Sequence, residues 1–122
     1  MYRYFMLFLV LVVVATFALA AGGHYGSLAI DRGNGSRYGF AYNHQSWGAS
    51  DARAISECGS GCSVVLRFVD ECAAYAADQG NGSTIYGWGT ASSMSQAQNR
   101  AMQECSNQGG TECQLRVWAC SQ

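Results

Sequence analysis

The hydrophobic positions of this chain form one continuous run near the N-terminus and only short, interrupted segments after it. Residues 5–20 are almost wholly apolar and follow a short head that carries a single charge. Ala18 and Ala20 supply the small residues of a cleavage site, so we predict a secretory signal peptide over residues 1–20, cut before Ala21. The alternative, an uncleaved anchor, is disfavoured because the run is about 16 residues and a spanning helix needs roughly 20. We therefore expect no stable membrane insertion after cleavage.

Beyond this run, one pattern of polar, small and aromatic positions occurs twice. Segment 31–40, DRGNGSRYGF, returns at 78–88 as DQGNGSTIYGW with one inserted residue. Segment 54–58, AISEC, returns at 101–105 as AMQEC, 47 positions later. Matches that keep their order along the chain indicate an internal duplication, and a duplication sets the architecture.

Each copy predicts the same series of elements: strand, turn, strand, helix, strand. We expect an α+β fold in which two pseudo-symmetric β-β-α-β units, about residues 25–70 and 72–121, form one small disulfide-stabilised domain over residues 21–122. An Asn-Gly pair between alternating segments favours a tight hairpin, because both turn positions need positive φ. The predicted hairpin turns are Asn34, Gly35, Asn81 and Gly82.

Local signals also place two helices. The first is predicted to start near Ser46 and to end at Cys58, and the second starts after Ser93, whose N-cap role is supported by a Gln three residues later. Each helix has a face of small residues that can pack closely on a sheet. These faces are Ser50, Ala54 and Cys58 in the first helix and Ala97, Ala101 and Cys105 in the second. The strand after each helix contains a Leu-Arg pair, and we match residues 66–67 with residues 115–116.

All six cysteines follow the predicted signal peptide, and an even number in an exported chain indicates disulfides. Zinc ligation and a reactive thiol are the alternatives, which the cysteine spacing favours much less. Matching positions in the two copies suggest that each helix is bonded to the strand after it, and that the two remaining cysteines join one unit to the other. The proposed pairs are Cys58–Cys62, Cys105–Cys113 and Cys72–Cys120.

Composition removes several classes of function. The formal net charge is -1, so the chain lacks the clustered cations that a nucleic-acid partner requires. All seven basic residues are Arg, which excludes Schiff-base chemistry and a P-loop lysine. Cys58 and Cys62 fit the spacing of zinc ligands only loosely, and the two histidines, His24 and His44, are remote from the cysteines in the sequence. We predict no metal, no cofactor and no nucleic-acid partner.

Four features together resemble a known family. They are Tyr-Gly at 25–26, Tyr-Gly-Trp-Gly at 86–89, helices that end in Cys, and Val-Trp-Ala-Cys-Ser at 117–121. Over roughly residues 25–121 the chain resembles the secreted bacterial family known as domain of unknown function 4189. The resemblance implies export, disulfides and a duplicated α+β domain, and it brings no catalytic residues.

Candidate nucleophilic chemistry is confined to one loop. His44 falls near Asp51 between a predicted strand and helix, where Ser46 or Ser50 could act as nucleophile. A solvated loop histidine is the preferred interpretation, because no nucleophile-elbow motif surrounds either serine. We therefore name no catalytic residue.

Carboxylates offer two further possibilities. Asp70 and Glu71 are adjacent, so on an extended segment they point to opposite faces and cannot form the acid pair of a glycoside hydrolase with each other. Asp31 and Asp78 each begin a Gly-rich loop that superficially resembles a calcium loop. Each loop has a single carboxylate, so a plain hairpin turn is favoured.

Aromatic side chains provide the candidate binding surface. They alternate with small residues along the predicted strands, and a chain of this size cannot bury all of them. Aromatic and Arg side chains are the usual anchors of protein interfaces. The candidate surface comprises Tyr38, Phe40, Tyr42, Trp47, Tyr86 and Trp88.

These features together predict a secreted or periplasmic, non-catalytic recognition domain that binds another protein. It would act as an inhibitor or immunity-type protein in the periplasm, or as a secreted effector. A rigid, disulfide-braced surface lowers the entropic cost of such binding. Two alternatives stay open: a cell-wall-directed hydrolase or glycan-binding module, and a structural envelope protein without a specific ligand.

Overall fold

The element order repeats once along the chain. The computed structural model describes residues 23–122, so the predicted signal peptide, residues 1–20, lies outside the described residues. Unit one contains β1 (Tyr25–Asp31), β2 (Asn34–His44), α1 (Trp47–Cys58) and β3 (Ser63–Val69). Unit two contains β4 (Cys72–Asp78), β5 (Tyr86–Ala91), α2 (Met94–Asn107) and β6 (Cys113–Cys120). The predicted α+β class with two β-β-α-β units is confirmed.

Both helices begin where the sequence predicts, and their N-caps are Ser46 and Ser93. Ser46 accepts a hydrogen bond from the N–H of Ala49 at 3.1 Å, and Ser93 accepts one from the N–H of Gln96 at 3.4 Å. Each side chain satisfies a backbone donor that has no partner within the helix. The buried faces of α1 and α2 contain the small residues predicted for them. No helix within residues 23–122 is long and apolar enough to cross a bilayer.

Each unit forms a three-stranded antiparallel sheet with its first strand in the centre, in the orders β2-β1-β3 and β5-β4-β6. Leu28 of β1 faces Leu66 of β3, and the equivalent Tyr75 of β4 faces Val117 of β6. The match of Leu66 with Leu115 is therefore wrong by two residues. A two-residue shift leaves every side chain on the same face of a strand, so the hydrophobic pattern cannot reveal it.

The first hairpin turns earlier than predicted. Asp31 pairs with Asn34, so the connection is the dipeptide 32–33, and both Asn34 and Gly35 lie in β2. Asp31 Oδ1 accepts a hydrogen bond from the N–H of Gly33 at 3.0 Å, which closes the turn through a side chain. The prediction of a turn at Asn34 and Gly35 is thus wrong, because the Asp side chain closes the chain one dipeptide earlier.

The second hairpin does turn at Asn81 and Gly82. Gly82 has a φ of 73°, a conformation that glycine adopts without steric cost. The N–H of Ser83 donates to the carbonyl oxygen of Gly80 at 3.0 Å. This turn forms the tip of a longer connection between β4 and β5, residues 79–85.

The two sheets pack face to face, and one helix covers the outer face of each. α1 packs on the sheet of unit one and α2 on the sheet of unit two, mainly through Ala and Cys side chains. The layer order is therefore helix, sheet, sheet, helix, and β1 and β4 are buried on both faces. The core shared by the two sheets comprises Leu28, Ile30, Phe40, Phe68, Ala73, Tyr75, Ala77 and Ala119.

Two equivalent glycines let the helices lie directly against the sheets. A Cβ at Gly39 would collide with the carbonyl oxygen of Ala54 in α1. A Cβ at Gly87 would collide with the backbone nitrogen of Cys105 in α2. Because both obstacles are backbone atoms, these contacts cannot be relieved by a change of side-chain rotamer.

The disulfides are Cys58–Cys62, Cys105–Cys113 and Cys72–Cys120. The first two join each helix to the strand after it, as the repeat predicts. The expected link between units is wrong, because Cys72 and Cys120 face each other on β4 and β6 of the same sheet. The units are held together by the shared core instead, and the Tyr75 hydroxyl donates to the carbonyl oxygen of Gly35 at 2.5 Å. Burial raises the pKa of this hydroxyl.

Candidate functional site

The predicted aromatic surface does not form one continuous patch. Phe40 is only 7% exposed and belongs to the shared core, so its place in a binding surface is wrong. Tyr38 is half-buried, and its hydroxyl donates to the carbonyl oxygen of Arg116 at 3.3 Å. Tyr42 is 49% exposed. The inner face of β2 is covered by the second sheet at its centre, and the coverage decreases toward the end of the strand.

Trp47 lies at the start of α1 and packs within unit one. Its ring meets the ring of Tyr25 edge-on, with centroids 4.7 Å apart. The guanidinium of Arg67 lies 6.0 Å from its centroid, within the range of a cation–π contact. Trp47 therefore helps to hold the first turn of α1 against the end of the sheet.

Tyr86 and Trp88 line an open groove of about 780 Å³. Their rings stack, with centroids 5.8 Å apart and an angle of 15° between the ring planes. Leu66 of β3 contributes a further apolar side chain. The charged residues that line the groove are Arg32, Arg100 and Glu104.

The groove follows the outer edge of β5. Gly87 and Gly89 alternate with the two rings along this strand, and any Cβ on either glycine would run into α2. The glycines therefore face the helix, while Tyr86 and Trp88 face the other sheet. Since β5 and β3 are both edge strands, the rings at this side are only partly covered.

Several lining residues could not be found from the sequence. Arg32 comes from the first hairpin, Leu66 from β3, and Arg100 and Glu104 from α2. No local pattern connects these separate elements, because their proximity depends on how the two sheets face each other.

A polar cluster in unit one contains Asp51, the residue that the sequence places near His44. Ser27 Oγ donates to Asp51 Oδ1 at 2.6 Å and lies 2.7 Å from Ser50 Oγ. Arg67 binds the same carboxylate, with Nε 3.1 Å from Oδ2. This hydrogen-bonded ion pair lowers the pKa of Asp51, with a smaller contribution from Ser27. Within residues 23–122, His44 makes no hydrogen bond to Asp51, so the structure does not assemble the His–Asp pair that the sequence left as the less favoured possibility.

The same cluster is built to position a helix. Ser27 and Ser50 are completely buried, so neither hydroxyl is accessible to a substrate. Asp51 and Ser50 belong to the first turns of α1, and Ser27 belongs to β1. We conclude that the cluster anchors α1 to the sheet of unit one. A serine within an otherwise apolar central strand is the one sequence signal that points to it.

The loop carboxylates close turns. Asp31 forms an ion pair with Arg37 at 3.0 Å. Asp78 Oδ1 accepts a hydrogen bond from the N–H of Glu112 at 2.7 Å. Hydrogen bonds from Ser83 and from the Glu112 amide lower the pKa of Asp78. Among the described residues, no group of three or more His, Cys, Asp or Glu side chains is placed to hold a metal ion.

Asp70 and Glu71 form the connection between the two units. Asp70 is exposed and has a φ of 52°. The carbonyl oxygen of Glu71 accepts a hydrogen bond from the N–H of Ser121 at 2.9 Å. Neither carboxylate has a hydrogen-bond partner between residues 23 and 122.

Comparison with known proteins adds one finding. A family profile described as Domain of unknown function (DUF4189) matches residues 25–120. This segment runs from the first residue of β1 to the last residue of β6. The chain belongs to the DUF4189 family. The groove and the polar cluster of this DUF4189 domain both lie within the matched segment. No curated protein and no solved structure matches the chain.

Proposed function

We propose that this DUF4189 domain is an exported, non-catalytic recognition domain that binds another protein. It acts either as a periplasmic inhibitor or immunity-type protein, or as a secreted effector. The observation that carries the proposal is the groove along β5, where two aromatic rings and two guanidinium groups meet solvent. Trp, Tyr and Arg are the side chains most often found at the energetic centres of protein interfaces.

The frame behind the groove supports this role. β5 pairs with β4 without a register shift, and α2 covers the outer face of both strands. The disulfide Cys105–Cys113 ties the end of α2 to β6. A preformed surface loses little conformational entropy on binding, so more of the contact energy contributes to affinity.

Export is part of the proposal. Three disulfides are typical of an oxidising compartment. The test is N-terminal sequencing of the exported product after expression of the full chain in a bacterial host. We expect a first residue of Ala21, and a product that keeps Met1 and stays reduced inside the cell would contradict export.

The recognition role is tested by crosslinking the oxidised chain to envelope and culture-fluid extracts of the source cells. We expect one protein that the oxidised chain retains and the reduced chain does not. Trp88→Ala should lose this protein, whereas Tyr42→Ala, which removes an exposed ring outside the groove, should keep it. Equal retention by Trp88→Ala would place the interface elsewhere, and no specific retention would contradict protein recognition.

One observation favours a glycan-binding alternative. The stacked rings of Tyr86 and Trp88 form an apolar platform on which a sugar ring could lie. Calorimetric titration with peptidoglycan fragments distinguishes the two functions. Saturable binding that Trp88→Ala abolishes would favour the glycan, and no heat of binding would leave the protein partner as the supported function.

A further inference from the structure

The backbone of β5 presents alternate residues to β4 and to the groove. The N–H of Asp78 donates to the carbonyl oxygen of Ile85 at 2.9 Å, so Ile85 faces the central strand. In an antiparallel pair, every second residue shares this direction. The backbone N–H and C=O groups of Tyr86, Trp88 and Thr90 therefore point away from β4, toward the groove.

This outer edge of β5 is almost unprotected. The guanidinium of Arg100 donates to the carbonyl oxygen of Thr90 at 2.7 Å. The outward N–H and C=O groups of Tyr86 and Trp88 have no hydrogen-bond partner among residues 23–122. Proteins usually shield edge strands with charged residues, proline or bulges. The strand Tyr86–Ala91 carries no charge and no proline, and its pairing is regular.

The equivalent edge in unit one is closed. Phe40 of β2 corresponds to Trp88 of β5, and the N–H of Phe40 donates to the carboxylate of Glu57 in α1 at 3.2 Å. Arg53 holds this carboxylate in place with an ion pair at 2.8 Å. A side chain of the covering helix therefore occupies the position where a further strand would bind.

Unit two has the same two residue types in α2 but uses them differently. Arg100 and Glu104 correspond to the Arg and Glu of α1, 47 positions later. Arg100 turns to the carbonyl oxygen of Thr90, and Glu104 makes no ion pair within the described part of the chain. The N–H of Trp88 is left without a partner among the described residues, beside the groove of about 780 Å³.

We infer that the groove takes an extended, acidic peptide segment of another protein, which adds to β5 as a further strand. The backbone of the segment satisfies the N–H and C=O groups of Tyr86 and Trp88, and its alternate side chains contact their rings. Arg32 and Arg100 outnumber the single carboxylate of Glu104, so the groove is locally positive on a chain of net charge -1. This inference rests on the proposed function, because it specifies how the protein partner is held.

The first experiment selects ligands for the oxidised chain from a phage-displayed library of random dodecapeptides. The best peptide is then synthesised with one N-methyl group at each position in turn. Strand addition uses every second peptide amide, so N-methylation should weaken binding about tenfold or more at alternate positions only. Equal tolerance at all positions, or failure to select any peptide, would overturn strand addition.

Substitutions test the charge and the edge separately. Arg32→Ala should weaken binding of the selected acidic peptide, and Glu104→Ala should strengthen it, because the two changes alter the groove charge in opposite directions. Trp88→Pro removes the outward N–H without touching the bonds to β4 and should bind more weakly than Trp88→Ala. If Trp88→Pro does not fold, the N-methyl series still decides the question. The matched control is Tyr42→Ala, which should bind the peptide as the unmodified chain does.

Two outcomes separate this inference from the proposed function. If crosslinking retains a specific protein but N-methylation shows no alternation, recognition stands and strand addition fails. If the chain self-associates in sedimentation experiments and Trp88→Pro makes it monomeric, the occupant is a second copy and the peptide proposal is overturned. Alternation in the peptide series without any retained protein would support the strand site and contradict the natural recognition role.

Discussion

Unit one and unit two share one frame but stabilise it with different chemistry. Both have the same element order, and both interrupt the register between the first and last strands after the same residue of the central strand. Unit one anchors its helix through buried hydroxyls and an ion pair, formed by Ser27, Ser50, Asp51 and Arg67. The corresponding residues of unit two are Ala74, Ala97, Gln98 and Trp118.

Unit two closes its sheet with a covalent bond where unit one uses packing. Cys72 and Cys120 are bonded across β4 and β6, whereas Tyr25 and Val69 face each other at the equivalent place in unit one. The difference shows that neither the polar cluster nor the disulfide is required by the fold itself. What both units keep is the glycine that lets helix and sheet backbones meet.

The same comparison explains why the aromatic groove follows β5 and not the equivalent strand β2. Phe40 is buried and Trp88 is half-buried, although the two rings occupy equivalent strand positions. The N–H of Phe40 is bound by Glu57, whereas the N–H of Trp88 is open. Equivalent positions of the two units therefore have different roles: Phe40 is part of the shared core, and Trp88 lines the groove.

The largest expected effect on stability comes from removing the disulfide Cys72–Cys120, which has no counterpart in unit one. Replacing both Cys72 and Cys120 by Ser opens a bridge with a sequence separation of 48 and should lower the free energy of unfolding by about 4 kcal/mol. Replacing both Cys58 and Cys62, separated by 4 residues, should lower it by about 2 kcal/mol. Urea unfolding monitored by fluorescence measures both, and equal losses would contradict a stabilisation that depends on loop length.

Truncating Phe40 and Trp88, which occupy equivalent strand positions, tests whether the first belongs to the core and the second to a surface. Phe40→Ala should cost about 3–4 kcal/mol of unfolding free energy, because it empties a site in the shared core. Trp88→Ala should cost about half as much, because its ring is already partly in water. Chemical denaturation of the two variants gives the comparison. A larger loss for Trp88→Ala would mean that this residue is structural rather than part of a binding surface.

Replacing the glycine at which the helix and sheet backbones meet by alanine should destabilise both units by a similar amount. Gly39→Ala and Gly87→Ala should each lower the free energy of unfolding by about 2–3 kcal/mol, since the new Cβ meets helix backbone. The matched control is Gly48→Ala in α1, where a Cβ meets nothing closer than 3.9 Å. Thermal unfolding that moves only one of the two equivalent variants would show that the helices are not held in the same way.

The smallest expected effect concerns the polar cluster of unit one and depends on pH. Arg67 and Ser27 hold the pKa of Asp51 below its ordinary value in the folded state. The stabilising contribution is therefore complete above the unfolded pKa, about 4, and is lost as the pH falls through the lower folded value. Asp51→Asn should cost about 1 kcal/mol at neutral pH and less in acid.

The control for this pH dependence is Asp70→Asn, which replaces an exposed carboxylate in the turn between the units. Asn tolerates the positive φ at this position, so stability should change little at any pH. Denaturation curves at several pH values provide the measurement. A cost of Asp51→Asn that stayed constant down to strong acid would exclude the ion pair as its origin.

Local features of this fold were predictable because they depend on neighbours in the sequence. The first helix starts near Ser46 and Ser93 caps the second helix, as expected, since each serine side chain accepts a hydrogen bond from a backbone N–H three residues later. The disulfide partners followed from matching positions in the repeat. The first hairpin was misplaced because Asn-Gly is a strong turn signal, yet the Asp31 side chain closes the chain earlier.

The groove was not predictable from the same signals. The alternation of aromatic and small residues correctly predicts that Tyr86 and Trp88 share one face of β5. It predicts the same exposure for Phe40 on β2, which is buried. Which rings are covered depends on the position of the second sheet, and which backbone groups are open depends on a helix side chain. Both are contacts between segments far apart in the chain.

The sequence by itself determined the duplication, the helix starts, the buried helix faces and the pairing of the cysteines. These follow from the periodicity, capping and spacing of residues that are close in the chain or repeated at matching positions. Only the tertiary structure decided that the two sheets face each other, that Phe40 is core and Trp88 is groove, and that Trp88 keeps an open N–H. The physical reason is that burial and edge protection are set by the packing of distant elements, which no local pattern encodes.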